Sequence, residues 1–410
     1  MPESQTQTSA TQPRNVHIFG ATSFFNDTAS EMAYWILPAF LTTIGAGPAT
    51  LGIIEGIAES VASFAKLFSG LWTDRLRRRK PLVVGGYVVA NLVKPLLAAV
   101  TGAWQVLFIR FADRLAKGVR GAPRDVMLSE SVPRERVGSA FGLLQAMDSA
   151  GAIAGPLLAL LIMGSAIGHR WGARAVFLAA AVPGALCVVV VAFGLRETHH
   201  MPSSERQSIF ANARNLPAAF YYVLFAIGLF SIGNSSDMFL VLRAQSLGIP
   251  VTHAPLLGLV FNLTYTAAAW PAGKISDRAV QNSRGRYGIA AAGLLIFSIV
   301  YWIFARGVGF AGVYAAMAFY GLYYALTQPV LKAVVVDTVP RSQRGGAFGI
   351  YYFVTSVAAL LASVLTGELW RLWGARVPFL FSAALAFAGA ILFVLAPVVL
   401  RKPAPDYSTR

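Results

Sequence analysis

The chain has 410 residues, of which 56% are hydrophobic and 13% charged, and its mean hydropathy is +0.60. A soluble domain needs a polar shell that this composition does not supply, so the sequence is that of an integral membrane protein. The formal net charge of +16 invites a nucleic-acid partner, but the distribution of the charge argues against one.

Apolar runs of roughly 20 residues, enough for a helix to cross a hydrocarbon core about 30 Å thick, recur along the sequence. In chain order they cover 15–46, 50–73, 81–101, 103–130, 138–163 and 175–195, then 216–247, 255–275, 288–305, 308–336, 346–368 and 377–399. The expected fold is therefore all-α, with twelve transmembrane helices. Residues 1–14 read as a retained cytoplasmic tail, since nothing there has the form of a removable signal peptide. Residues 196–215 read as a cytoplasmic linker between a bundle at 15–195 and a second at 216–399, and 400–410 as a cytoplasmic tail. With the amino terminus inside, the outer loops hold only Arg170, Arg174, Arg306, Arg371 and Arg376. The basic runs "RLRRRK" (75–80) and "SRGRYG" (283–288) and the linker all fall on the cytoplasmic side. That asymmetry satisfies the positive-inside rule, so the charge sets orientation in an inner (cytoplasmic) membrane and no nucleic-acid partner is expected. The single cysteine, Cys187, excludes an intrachain disulfide.

The two halves repeat each other at an offset of 206 residues. "EM" at 31–32 answers "DM" at 237–238, "GLWTDR" at 70–75 answers "GKISDR" at 273–278, and "VPRERVGSAFG" at 132–142 answers "VPRSQRGGAFG" at 339–349. A duplicated six-helix unit of this kind gives two pseudo-symmetric bundles facing a central cavity. Three local patterns carry a family resemblance. Gly70, Asp74, Arg75, Arg78 and Arg79 fit G-x-x-x-D-[RK]-x-G-[RK]-[RK] between the second and third spans, with Arg77 where a glycine is usual. "RLAKG" at 114–118 resembles R-x-x-Q-G, with Lys117 in place of glutamine, and Gly151, Gly155 and Pro156 fit G-x-x-x-G-P. On these residues the chain resembles the major facilitator superfamily from about 15 to 399. The resemblance implies secondary transport by alternating access, and the third pattern is that of drug–proton antiporters. Independently of the family, Gly70 lets helices approach closely, and Asp74 and Arg75 with Arg78 can form a charge-assisted inner gate that Asp277 and Arg278 repeat in the second half. Gly151 and Gly155 make a small-xxx-small packing face, and Pro156 adds a bend.

Charge inside the spans is costly and therefore informative. The carboxylates at membrane depth are Asp27, Glu31, Glu55, Glu59, Asp113, Asp125, Asp148 and Asp237, and only the last lies in the second half. Asp27 and Glu31 are four residues apart, as are Glu55 and Glu59, so each pair shares a helix face. A carboxylate partly withdrawn from water holds a proton toward neutral pH, which suits it to proton coupling; alternatively these acids only neutralise nearby bases. In the fourth span Arg110, Arg114, Lys117 and Arg124 fall within an arc of roughly 80° over about 21 Å of helix. Arg110 and Arg114 must meet an internal acid, for which Asp113, Asp27, Glu31 and Asp148 are candidates, or an anionic ligand. Arg120 and Arg124 lie close enough to the cytoplasm to snorkel, and the aromatics near span ends read as interfacial anchors.

No nucleophile constellation, metal cluster or cofactor motif is visible, and the adjacent His199 and His200 do not share a helix face. The sequence therefore predicts a transporter, with no enzyme activity, cofactor or metal. Its expected partners are membrane lipid, a small-molecule substrate and protons, and it is expected to be a monomer. Proton-coupled efflux by antiport is favoured; the alternative is proton-coupled uptake of an organic or phosphorylated anion.

Overall fold

The computed structural model describes residues 12–73, 78–133, 136–198, 216–279, 285–340 and 343–400. Among these the regular structure is helical. In the first half the helices are α1 (Pro13–Tyr34), α2 (Leu37–Thr43), α3 (Pro48–Thr73), α4 (Lys80–Val93), α5 (Ala103–Glu130), α6 (Val137–Met163), α7 (Ala166–Trp171), α8 (Ala173–Ala179) and α9 (Ala181–Gly194). The second half contains α10 (Ala218–Gly233), α11 (Met238–Ser246), α12 (Ala254–Ala279), α13 (Gly285–Arg306), α14 (Phe310–Asp337), α15 (Arg344–Trp373) and α16 (Arg376–Val399).

Eight helical segments among the described residues are long and apolar enough to cross a membrane, five of them in the second half. The other long helices, α1, α3, α5 and α12, run 22, 26, 28 and 26 residues. Three of these four carry the interior charges of the first half, which lowers their hydropathy without shortening them.

The repeat of the sequence is a repeat of the helices. Moving α3 on by 206 residues gives the bounds of α12, and α5 moved likewise falls within one residue of α14. Pro123 inside α5 is matched by Pro329 inside α14. The packed pairs recur as well: α1 with α6 and α9, and α4 with α5 and α9, correspond to α10 with α15 and α16, and α13 with α14 and α16.

Two of the expected single spans are interrupted. Pro38 lacks an N–H and its ring crowds the carbonyl of Tyr34, so α1 stops there and α2 restarts at Leu37. The corresponding break between Gly233 and Met238 runs through Asn234, Ser235 and Ser236, and the Ser236 N–H donates to Ser363 Oγ at 3.3 Å. Pro95 likewise converts the end of the third span into a 3₁₀ turn, Lys94–Ala99.

The chain divides into two compact units: residues 1–207 with 237–262, and 208–236 with 263–410. The first has an apolar core of Phe19, Val83, Tyr87, Met127, Leu128, Leu144, Cys187 and Val191. Beside it, Arg79 is buried against Glu130 at 2.6 Å, and Thr198 Oγ1 donates to the same carboxylate at 2.7 Å. Arg79 therefore has a structural partner and is not only an orientation signal. The second unit is organised around packed rings: Phe297 stacks on Tyr301 at 4.0 Å and meets Phe230 at 5.1 Å and Tyr323 at 4.9 Å edge-on.

Candidate functional site

The site is built where α1, α3, α4 and α5 of the first unit pack together, and glycines set how closely they approach. A Cβ on Gly118 of α5 would lie 2.5 Å from Ala65 Cβ and 2.6 Å from the Ala62 carbonyl on α3. Ser69 Oγ donates to the Gly118 carbonyl at 3.1 Å across the same crossing. On the other side, a Cβ on Gly151 of α6 would meet Phe24 O at 2.6 Å and Asp27 Cβ at 3.1 Å. One turn on, a Cβ on Gly155 would meet Glu31 Cβ and Thr28 O, each at 2.7 Å. The small-residue face of α6 thus seats the helix face that carries Asp27 and Glu31. Pro156 follows inside α6.

With the helices fixed this closely, the basic stripe of α5 meets the acids of α3. Arg110 grips Glu55 in a fork, with Nε and Nη2 donating to the two carboxylate oxygens at 2.8 Å each, and Glu55 is fully buried. Arg114 pairs with Glu59 at 2.9 Å. Lys94 pairs with Asp113 at 3.5 Å, and Arg110 also reaches Asp113 at 3.9 Å. The face of Tyr34 lies 5.6 Å from the Arg110 guanidinium and 6.0 Å from that of Arg114. Internal pairing therefore holds for both arginines, but the carboxylates that supply it are chiefly Glu55 and Glu59. Asp27 and Glu31 line the same cleft from α1 without an ion pair to either arginine, and Asp148 is on α6 with its Oδ1 buried and without a hydrogen-bond partner among the described residues.

These residues enclose a cleft of about 610 Å³, its open mouth included, lined by Asp27, Glu31, Tyr34, Lys94, Arg110, Asp113, Arg114 and Lys117 among others. Three groups in it form no ion pair among the described residues. Asp27 accepts from Asn26 Nδ2 at 3.0 Å, Glu31 accepts from Trp35 Nε1 at 2.7 Å, and Lys117 has no hydrogen-bond partner among those residues. A polar chain runs behind the cleft: Asn91 Nδ2 donates to Asn26 Oδ1 at 3.3 Å, and Lys94 Nζ donates to Asn91 Oδ1 at 3.3 Å.

Several expected site residues lie elsewhere. Asp237 is the N-cap residue of α11 and does not line the cleft. Arg120 does not snorkel: it is buried, with its guanidinium 4.1 Å from the Tyr87 ring. Asp125 holds Arg124 at 2.8 Å. Of the inner-gate residues, Arg78 is exposed, Asp74 and Arg75 lie outside the described residues, and Gly70 of α3 and Asp277 and Arg278 of α12 are described by their backbone alone. The sequence reading missed Trp35 and Asn91. Trp35 is 1% exposed, and its spacing of four from Glu31 was a usable signal.

A charged, solvent-reaching cleft inside a bundle of membrane-length helices defines a multi-pass membrane carrier. The chain belongs to the major facilitator superfamily, whose model matches residues 19–242 and 218–409. It is 31% identical over 387 residues to an uncharacterized MFS-type transporter of Methanocaldococcus jannaschii, covering 93% of this chain and 94% of that one. It is also similar to the multidrug resistance protein MdtG of Dickeya zeae, at 30% identity over 192 residues and 45% of each chain. Among solved structures, the nucleoside transporter NupG matches with a TM-score of 0.72 at 15% identity, over 93% of this chain and 98% of that one; this likeness concerns the fold. Family and fold are those of transporters of small molecules, not of enzymes.

Proposed function

We propose that this transporter is proton-coupled and works by alternating access between the bundles at 15–195 and 216–399, exporting its substrate by antiport. It acts as a monomer in the inner membrane with both termini cytoplasmic, and the segments around Asp74 and Asp277 form its cytoplasmic gate. The observation that carries the proposal is the remainder left by the ion pairs. Arg110, Arg114 and Lys94 are matched by Glu55, Glu59 and Asp113, which leaves Asp27 and Glu31 facing the cleft with Lys117 as the lining base that forms no ion pair among the described residues. One lysine balances one carboxylate. The second acid is best neutralised in a low-dielectric site by a proton or by a cationic group of the substrate, and exchange between those two is antiport. The match to a multidrug resistance protein over part of the chain supports the same direction. Uptake of an organic or phosphorylated anion is less well served, because both arginines are already gripped by glutamates.

Proteoliposomes loaded with a pH-reporting dye test this directly. The protein is challenged from outside with a panel of cationic, neutral and acidic compounds. Antiport moves protons out as a transported compound enters, so the lumen turns alkaline. Symport turns it acidic, and labelled flux without any pH change shows that transport is not proton-coupled.

A further inference from the structure

Trp35 occupies the break between α1 and α2, and it touches both the acid pair and a helix outside the cleft. Its indole N–H donates to Glu31 Oε2 at 2.7 Å. Its ring plane lies against Gly258 of α12: a Cβ on that glycine would fall inside contact distance of indole Cε2, Cδ2 and Nε1. Phe261, one turn along α12, packs on the same indole with centroids 5.7 Å apart, and Tyr34 meets it edge-on at 5.4 Å. One residue further, Asn262 Nδ2 donates to the Ala152 carbonyl at 2.9 Å. Ala152 lies between the glycines of α6 that seat Asp27 and Glu31. The opening turns of α12 are thus held at two points, Trp35 and Ala152, each one contact away from the acid pair. They belong with the first unit up to Asn262, and the helix continues from Leu263 in the second.

We infer that Trp35 is a positioning residue that ties the docking of the 254–262 stretch to the charge on Glu31, resting on the proposal that Glu31 takes part in proton coupling. A hydrogen bond to an ionised carboxylate is roughly twice as strong as one to a neutral acceptor, so a proton on Glu31 slackens the hold on the indole. The indole is 1% exposed and has no room to turn while Gly258 lies on it, so a slackened Trp35 loosens α12 at the same contact. The groups that act on Glu31 are Asp27 on its own helix and Arg114 and Lys117 on α5. α6 presents Gly155 to it, and the 254–262 stretch of α12 has no titratable side chain, with His253 immediately before it. Since Arg114 is engaged by Glu59, the charge on Glu31 responds chiefly to Asp27, Lys117 and whatever occupies the cleft. A cationic substrate and a proton would then have opposite effects on α12, as exchange transport requires.

The test is amide hydrogen exchange of the 254–262 stretch in the purified full chain, corrected for intrinsic rates, at pH 8 and pH 5. It is run on the wild type, Trp35→Phe and Glu31→Gln, with the dye-loaded proteoliposome signal measured in parallel. In the wild type, protection is expected to fall at least tenfold between pH 8 and pH 5. Phenylalanine keeps a ring against Gly258 but has no N–H, and glutamine is a permanently neutral acceptor. Both variants should show the low protection at both pH values. A Trp35→Phe protein that keeps the wild-type pH response overturns the inference; if that variant does not fold, an unchanged response in Glu31→Gln does the same. A flat wild-type profile beside a clear proton signal also overturns it and leaves proton coupling standing. A steep wild-type profile lost in both variants, with no proton signal for any compound, supports the tie at Trp35 and overturns proton coupling.

Discussion

The two halves of the chain share helix bounds and packing pairs at an offset of 206 residues and differ in what fills them. Where the first half has Glu59, Arg114 and Lys117, the second has Tyr265, Tyr320 and Tyr323. Glu55 and Arg110 correspond to Phe261 and Ala316, and Asn91 and Lys94 correspond to Phe297 and Val300. The second half makes a ring cluster from these positions, with Tyr320 5.3 Å from both Tyr323 and Tyr324. It is an internal comparison: at these offset positions the corresponding helices pack with rings and aliphatic side chains where the first half has ion pairs. Desolvating both members of a buried pair costs about as much as their attraction returns, and apolar substitutes are often as stable. On that balance the charges of the first half are expected to be retained for what they do and not for the fold, which the following variants test.

The largest effect should come from breaking one pair without replacing it. Glu55→Gln leaves the Arg110 guanidinium buried without its carboxylate, at a cost of about 3–5 kcal/mol, visible as a large drop in thermal midpoint. The double variant Glu55→Phe/Arg110→Ala copies the second half at both positions. It should recover much of that stability while transport stays lost. A double variant as unstable as the single would show that the first half does need its charges to fold.

Next in size is the loss of coupling. Asp27→Asn or Glu31→Gln should reduce substrate-driven proton movement at least tenfold, with expression and thermal midpoint close to wild type, because the amide keeps the shape but cannot titrate. Full proton movement in both would shift the coupling role to Asp148. Gly155→Ala places a methyl 2.7 Å from Glu31 Cβ and should cost about 1–3 kcal/mol. Its counterpart in the second half, Leu361, is exposed and should accept alanine almost silently.

Smaller still is Arg114→Lys. Lysine loses the planar fork and the contact with Tyr34, so turnover should fall severalfold for every transported compound alike. A loss confined to acidic compounds would revive an anion site. The smallest effect is expected at Asp237. It is the offset partner of Glu31 but lies outside the cleft, so Asp237→Asn should change the proton signal less than twofold.

Much of this organisation was legible from residues alone. The repeat at Glu31 and Asp237, the apolar runs and the basic asymmetry give the helices and the duplication directly. The acids and bases of the cleft were also identifiable, because charge inside a span is rare enough to stand out. Their pairing was not, since the register of α3 against α5 depends on how closely the backbones meet at Gly118, and no spacing within one helix reports that. Trp35 was missed for a related reason: its close approach to Gly258 of α12 is a meeting of distant segments that no spacing within one helix reports.

Cys187 acquires a use from where it sits. It is buried on α9, and its Sγ accepts from Asn91 Nδ2 at 3.5 Å, at the end of the polar chain that leads through Asn26 to Asp27. As the only thiol in the sequence it is a reporter that needs no engineering. A small membrane-permeant maleimide can reach it only when the seam between α4 and α9 parts, so its labelling rate times the breathing of that seam in the unmodified transporter.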